Sequence, residues 1–194
     1  MIRAEALQLL HQKIQNQNLR RHCYAVESAM RALADRLGGD KETWGIAGLL
    51  HDADYEIVRQ SASGGKEEPN RHTHLTLEWL KPLQVEAEVK DAILAHGWGY
   101  VHGNPEPKTQ MEWALYCCDE LTGLIVAVTL VKPDKRLSSI TVESVLNKWG
   151  SKGFAAGVDR KQIELCNEKL GIVLRDFINI VLASMQNIHD NLGL

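Results

Sequence analysis

The chain has 194 residues, of which 44% are hydrophobic and 24% are charged. This composition indicates one globular domain, residues 1–194, and excludes a low-complexity chain. The formal net charge of −3 gives no reason to expect a nucleic-acid polymer as a partner.

Helical periodicity runs through most of the chain, and no segment has a convincing strand pattern. The predicted helices cover residues 3–16, 19–37, 41–52, 72–80, 84–96, 109–131, 141–149, 159–169 and 172–189. Residues 57–70 are polar and contain Ser-Gly-Gly-Lys, which predicts a loop beside any site at the end of the third helix. The sequence therefore predicts an all-α fold, a single helical bundle around a cleft.

The apolar segments and the cysteines indicate the compartment of the protein and whether it associates with a membrane. The N-terminal segment lacks the apolar core of a signal peptide, and the longest apolar run, residues 121–131, is too short to span a bilayer. The four cysteines lie within helical patterns and have no C-x-x-C spacing, which predicts reduced, buried thiols. We therefore expect a cytoplasmic protein without a membrane partner.

Four side chains of metal-ligand type occupy unusual places in this pattern. His51 and Asp52 are adjacent where a strongly apolar helix leaves the core, and His22 lies at the edge of an apolar stripe. Asp119 lies in the middle of the most apolar helix, where an isolated carboxylate would cost several kcal/mol unless it is paired or metal-bound. Imidazole and carboxylate groups suit divalent Mn, Fe, Co, Ni, Zn or Mg. We therefore predict that these four residues meet around a divalent metal ion.

The order His … His-Asp … Asp on separate helices resembles the HD superfamily of metal-dependent phosphohydrolases. The stretch from DELTGLIV (119–126) through GFAAGVDR (153–160) is also similar to a bacterial subgroup of uncharacterised HD proteins. The similarity to the superfamily covers roughly residues 18–125, and helices at 138–190 would pack on this core. The segments that carry it are LRRHCYAV (19–26), AGLLHDAD (47–54) and YCCDEL (116–121). Many relatives continue the His-Asp pair as Ile-Gly-Lys, whereas this chain has Ala53-Asp54-Tyr55. This chain therefore lacks that lysine, and the resemblance assigns its role to no residue here.

The resemblance implies that His22, His51, Asp52 and Asp119 bind the metal, which would activate a water molecule. It implies hydrolysis of a small phosphomonoester or phosphodiester, for which we expect a nucleotide. A non-catalytic, metal-stabilised nucleotide-binding or regulatory module is one alternative. An HD-type di-iron oxygenase is another, and it requires a second metal with several more histidine ligands. The oligomeric state stays open.

Three further residues are candidates for proton transfer. Asp54 and Glu56 follow the His-Asp pair, where acidic residues orient water in some nucleotide-cleaving relatives. The alternative for both is a solvated acidic turn. His96 extends the apolar stripe of its helix by one turn, so we expect it to point inward as a metal or phosphate contact, or to be hydrogen-bonded at the helix end.

Four residues are candidates for substrate binding: His72, Lys148, Lys152 and Arg160. The basic side chains would neutralise a phosphate, and the predicted helix at 159–169 would place its N-terminus nearby. A solvated basic surface is the alternative. His72 and His96 also resemble ligands of relatives that bind two or three metals, so a binuclear site stays open.

Overall fold

The computed structural model describes residues 1–63, 71–151 and 153–194, and within them the chain is helical without a strand. The helices are α1 (Arg3–Lys13), α2 (Gln17–Leu37), α3 (Lys41–Leu50), α4 (Tyr55–Ser63), α5 (His74–Leu80), α6 (Ala87–His96), α7 (Gln110–Leu130), α8 (Val142–Trp149), α9 (Arg160–Leu170), α10 (Leu174–Asn187) and α11 (His189–Leu192). A 3₁₀ turn, Leu137–Ser139, precedes α8. The predicted all-α fold is confirmed.

The segment predicted as a loop at 57–70 begins as a helix. Helix α4 continues to Ser63, and residues 64–70 lie outside the described part of the chain. The prediction for 57–63 was wrong because the breakers Gly64 and Gly65 follow that stretch instead of interrupting it. The first predicted helix also ends early, at Lys13. The Asn16 side chain accepts from two backbone amides at the start of α2, and this N-cap separates the two helices.

Helices α2 and α7 form the centre of the bundle. Helix α2 packs against α3, α7 and α10, and α9 lies along α7. By length and composition α7 is apolar enough to cross a membrane, but most of its apolar stretch is buried inside the protein, as in a core helix. A core of this kind holds the C-terminal end of α3 and the middle of α7 at fixed positions beside α2.

Helix α3 approaches α2 closely at Gly48. A Cβ atom at this position would lie 2.8 Å from the carbonyl oxygen of Val26 and 3.0 Å from the Cα atom of Glu27. Both are backbone atoms of α2, so neither can give way unless the helix moves. The missing side chain therefore sets the distance between the two helices, and His51 follows Gly48 by one turn.

We predict that Gly48→Ala destabilises the protein, because overpacking against α2 costs about 1–3 kcal/mol and exceeds the gain in helix propensity. Gly123→Ala in α7 is the matched control, since its Cβ would meet only the Val158 side chain at 4.0 Å. Urea unfolding measures both variants. Equal stability of the two would contradict the close-packing argument.

Candidate metal centre

A first donor group joins three helices of the core. It consists of His22 in α2, His51 directly after α3, and Asp119 in α7. The Nε2 atom of His22 lies 2.9 Å from Oδ1 of Asp119 and 3.3 Å from Nε2 of His51. Nε2 of His51 lies 3.5 Å from the same Asp119 oxygen. The three donor atoms are close enough together to bind one ion.

A second donor group lies beside the first and consists of His72, His96 and Asp52. The two imidazoles face each other with 3.1 Å between their Nε2 atoms. Oδ1 of Asp52 lies 3.3 Å from Nε2 of His72 and 3.5 Å from Nε2 of His96. His51 is also within ligand distance of Asp52 and His96, so the two groups are contiguous.

Asp52 connects the two donor groups through its two oxygens. While Oδ1 faces the second group, Oδ2 lies 3.7 Å from Nε2 of His22 and 3.6 Å from Nε2 of His51. Asp52 thus offers one carboxylate oxygen to each donor group.

The histidines at the two helix ends are fixed by backbone carbonyl groups. Nδ1 of His51 lies 2.8 Å from the carbonyl oxygen of Gly48, and Nδ1 of His96 lies 2.7 Å from that of Ile93. A carbonyl oxygen only accepts, so the hydrogen is on Nδ1 in both rings. In the neutral imidazole this leaves the Nε2 lone pair of each ring directed at the donor groups.

The imidazole rings of the other two histidines are oriented in the same way, but by side chains instead of backbone carbonyl groups. Nδ1 of His72 donates to Oδ1 of Asp54 over 2.8 Å. Nδ1 of His22 lies 3.4 Å from the Thr122 hydroxyl, which itself donates to the Asp119 carbonyl oxygen. That hydroxyl oxygen is thus left to accept from His22. All four imidazoles therefore present Nε2 to the centre.

The donor set fits a metal ion on its own geometry. Two Nε2 lone pairs that face each other at 3.1 Å, as in His72 and His96, repel unless a proton or a cation lies between them. Two nitrogens that each bind one ion at about 2.1 Å stand roughly 3 Å apart. The separation of the two imidazoles therefore matches that of two ligands of one ion.

Without an ion, protons balance the charges of Asp52, which is buried, and Asp119, which is partly buried. Burial lowers the pKa of His51, but the negative charges of Asp52 and Asp119 outweigh it and raise this pKa to about 9. Burial also opposes ionisation of Asp119, yet the positive charge on His51 and hydrogen bonds from His22 hold its pKa well below its ordinary value. The centre thus keeps its carboxylates ionised and attracts cations.

Four of the donor residues line a cleft of about 480 Å³, namely His22, Asp52, His72 and Asp119. Tyr100 is about half exposed at this cleft. Its ring lies nearly parallel to that of His72, with 6.3 Å between centroids, and its hydroxyl donates to the His96 carbonyl oxygen. The remaining walls of the cleft are made by Leu19, Tyr55, Arg59, Glu120, Gly123 and Val158.

The structure places the proton-transfer candidates differently from the prediction. Asp54 is fully buried and accepts from His72 and from the Thr76 amide at 3.0 Å, so it orients a histidine and does not face the cleft. Glu56 points away, because its Oε2 accepts from the Gln15 and Asn16 amides at 2.7 and 3.0 Å. His96, the third candidate, belongs to the second donor group.

The described substrate-binding candidates do not lie together in the structure. His72 is one of the donors, while Lys148 is not among the residues that line the cleft, and its ammonium lies 5.3 Å from the Phe154 ring. The Arg160 guanidinium donates to three carbonyl oxygens of its own loop, at 2.6 Å to Phe154, 3.3 Å to Ala155 and 3.2 Å to Val158. Lys152 lies outside the described residues.

Two charged residues of the cleft, Arg59 and Glu120, had no role in the sequence-based prediction. Arg59 lines the cleft one turn after Tyr55 in α4, and its place would have followed if that segment had been predicted as a helix. Glu120 accepts from the Asp159 amide at 3.0 Å, and burial beside Asp119 raises its pKa to about 7. The sequence carries no signal for Glu120, because its surroundings come from a loop 39 residues away.

Among comparisons with known proteins, the family model described as HD domain matches residues 19–122. The match covers more than half of the chain and includes both donor groups. No curated protein matches the chain at a significant level.

We predict that Glu56→Ala leaves the metal content unchanged. The variant loses the acceptor for two backbone amides in the turn between α1 and α2, so the free energy of unfolding falls by about 1 kcal/mol. Elemental analysis and urea unfolding measure the two quantities. Loss of metal from a folded Glu56→Ala protein would contradict this placement.

We also predict that metal binding releases protons at neutral pH. His51 is protonated below its pKa of about 9 in the metal-free protein, and its Nε2 can bind an ion only after the proton leaves. The apparent affinity for Zn²⁺ or Mn²⁺ should therefore rise about tenfold per pH unit for one linked proton between pH 6 and 8. Calorimetry in buffers of different ionisation enthalpy counts the protons, and tight binding without proton release would refute the assignment.

Proposed function

The chain belongs to the HD domain family, whose members are in general metal-dependent phosphohydrolases, and we propose that it hydrolyses a small phosphate ester with two divalent ions. The observation that carries this proposal is the convergence of four imidazole Nε2 atoms on the Asp52 carboxylate, whose two oxygens face different donor groups. Such a donor set has no structural purpose in a helical core that is already well packed.

In this proposal His22, His51 and Asp119 would hold one ion and His72 and His96 would hold the other, and Asp52, which faces both donor groups, would contribute to both. Divalent ions in such a pair lower the pKa of bound water and stabilise the attacking and leaving oxygens of a phosphoryl group. The Nδ1 hydrogen bonds of the histidines keep their Nε2 lone pairs in place. The protein thus supplies a preorganised and negatively charged donor set.

The walls of the cleft support a nucleotide-sized substrate. A cleft of about 480 Å³ suits a small molecule. Arg59 at the cleft supplies a positive charge for phosphate, and the exposed part of the Tyr100 ring offers a stacking surface for a base. All four cysteines are free and buried, which supports the cytoplasm as the compartment.

A di-iron oxygenase of the HD type is the second candidate. The observation that favours it is the number of histidines, because four imidazoles on two adjacent positions also suit iron. Two iron atoms per chain together with oxygen consumption would identify this activity. A hydrolase would instead act with Mn²⁺, Co²⁺, Ni²⁺ or Mg²⁺ and consume no oxygen.

The test is a screen of the metal-loaded protein against nucleoside monophosphates, cyclic nucleotides and simple aryl phosphates. We expect hydrolysis by the wild type and a loss of at least about 100-fold in Asp52→Asn, since the link between both donor groups is weakened. Lys148→Ala is the control and should keep full activity, because this residue does not line the cleft.

Elemental analysis of the same proteins tests the centre itself. Asp52→Ala and Asp119→Ala should fold and lose metal, and full metal retention in both would refute the metal assignment. A wild type that binds metal but cleaves no ester, with or without iron, would refute the hydrolase proposal.

A further inference from the structure

The two donor groups are supported by different parts of the fold. The donors of the first group lie in or directly after α2, α3 and α7, which pack together in the core. His72, in contrast, precedes α5 and lies outside any helix. Its position depends on the segment around it, so what fixes that segment decides whether the second donor group forms.

Thr73, directly after His72, has an unusual backbone conformation. Its φ angle is 69°, in the left-handed region, and its side chain is fully buried. A β-branched residue there costs on the order of 1–3 kcal/mol and keeps the conformation only when its surroundings impose it. Strong contacts must therefore hold this residue.

The Thr73 carbonyl oxygen accepts from the Leu77 amide at 3.0 Å, and the Thr73 side chain is held by the side-chain amide of Asn104, which is buried. Its Nδ2 donates to the Thr73 hydroxyl at 3.0 Å and to the carbonyl oxygen of Leu94 at 2.7 Å. Its Oδ1 accepts from Nε2 of His74 at 2.9 Å. Thr73 adjoins His72, and Leu94 lies two residues before His96, so one amide ties together the backbones that carry both histidines.

Gly97 leaves space for the side-chain amide of Asn104 because it has no Cβ atom. A Cβ atom at Gly97 would lie 2.3 Å from Nδ2 of Asn104. On the other side of the segment, the Asp54 carboxylate accepts from His72 and from the Thr76 amide. Asn104 and Asp54 therefore hold the His72 segment through polar contacts from two directions.

We propose that Asn104 is a positioning residue for the second metal ion, and that its amide keeps His72 and His96 at the separation that one ion requires. This inference rests on the two-ion function proposed above. When the amide is removed, Thr73 can relax to a negative φ and carry His72 out of place. The first donor group is supported by core helices and stays formed, so the protein loses one ion and keeps the other.

The test compares Asn104→Ala with Gln186→Ala. Gln186 is a matched control, because its amide also donates to two backbone oxygens, those of Leu137 at 2.9 Å and Ile140 at 3.1 Å, away from the cleft. After loading with Mn²⁺, we expect two ions per chain in the wild type and in Gln186→Ala. Asn104→Ala should bind the second ion at least about tenfold more weakly, and its electron paramagnetic resonance spectrum should change from a coupled pair to a single ion.

Two variants of Thr73 keep the test decisive if Asn104→Ala does not fold. Thr73→Val has the same shape and the same strained conformation without the hydroxyl, so we expect it to lose the second ion. Thr73→Gly also lacks the hydroxyl but adopts positive φ without strain, and we expect it to retain more of that ion than Thr73→Val.

The outcomes separate the two proposals. A wild type with fewer than two ions overturns the two-ion centre, and this inference falls with it. A wild type with two ions, together with unchanged second-ion affinity in Asn104→Ala or equal loss in the two Thr73 variants, overturns the role of Asn104 and leaves the proposed function standing.

Discussion

Two carboxylates, the buried Asp52 and the partly buried Asp119, lie within reach of four imidazole nitrogens, and the rest of this structure depends on this constraint. Asp52 and Asp119 are held ionised in the interior, and a buried negative charge requires a positive partner. Without metal that partner is a proton on His51, whose pKa is raised to about 9. In the metal-bound state that we propose, a divalent ion would replace this proton with more charge and with bonds to several donors at once. The cluster is therefore built to exchange protons for cations.

Carbonyl groups at the C-terminal ends of two helices orient two of these donors. The last carbonyl groups of a helix have no partner within it, and in α3 and α6 they accept from His51 and His96, each three residues further along the chain. His72 does not lie at the end of a described helix, and its Nδ1 donates to the Asp54 carboxylate instead. One requirement, a fixed Nε2 lone pair, thus has two structural solutions.

The site residues that could be predicted from the sequence lie on helices with a clear hydrophobic period. His22, His51 and Asp119 lie on strongly patterned helices, and the structure brings them together with Asp52 as the sequence predicted, while their metal role stays a proposal. Family and all-α fold were predicted and confirmed. Glu56 was assigned a role from its place in the sequence, whereas in the structure its carboxylate accepts from two backbone amides of a turn. Its charge and spacing were visible in the sequence, but the direction of its side chain was not.

The sequence by itself determined most of the helices, the order of the ligand residues along them and the family. Only the tertiary structure decided that Asp54 supports His72, that Arg160 holds its own loop, and that Asn104 joins two histidine-bearing segments. The physical reason is the range of the forces involved. Helix formation and burial depend on neighbours three or four residues apart, which a sequence displays. A hydrogen bond between residues 31 positions apart, such as Asn104 to Thr73, exists only after the helices have packed.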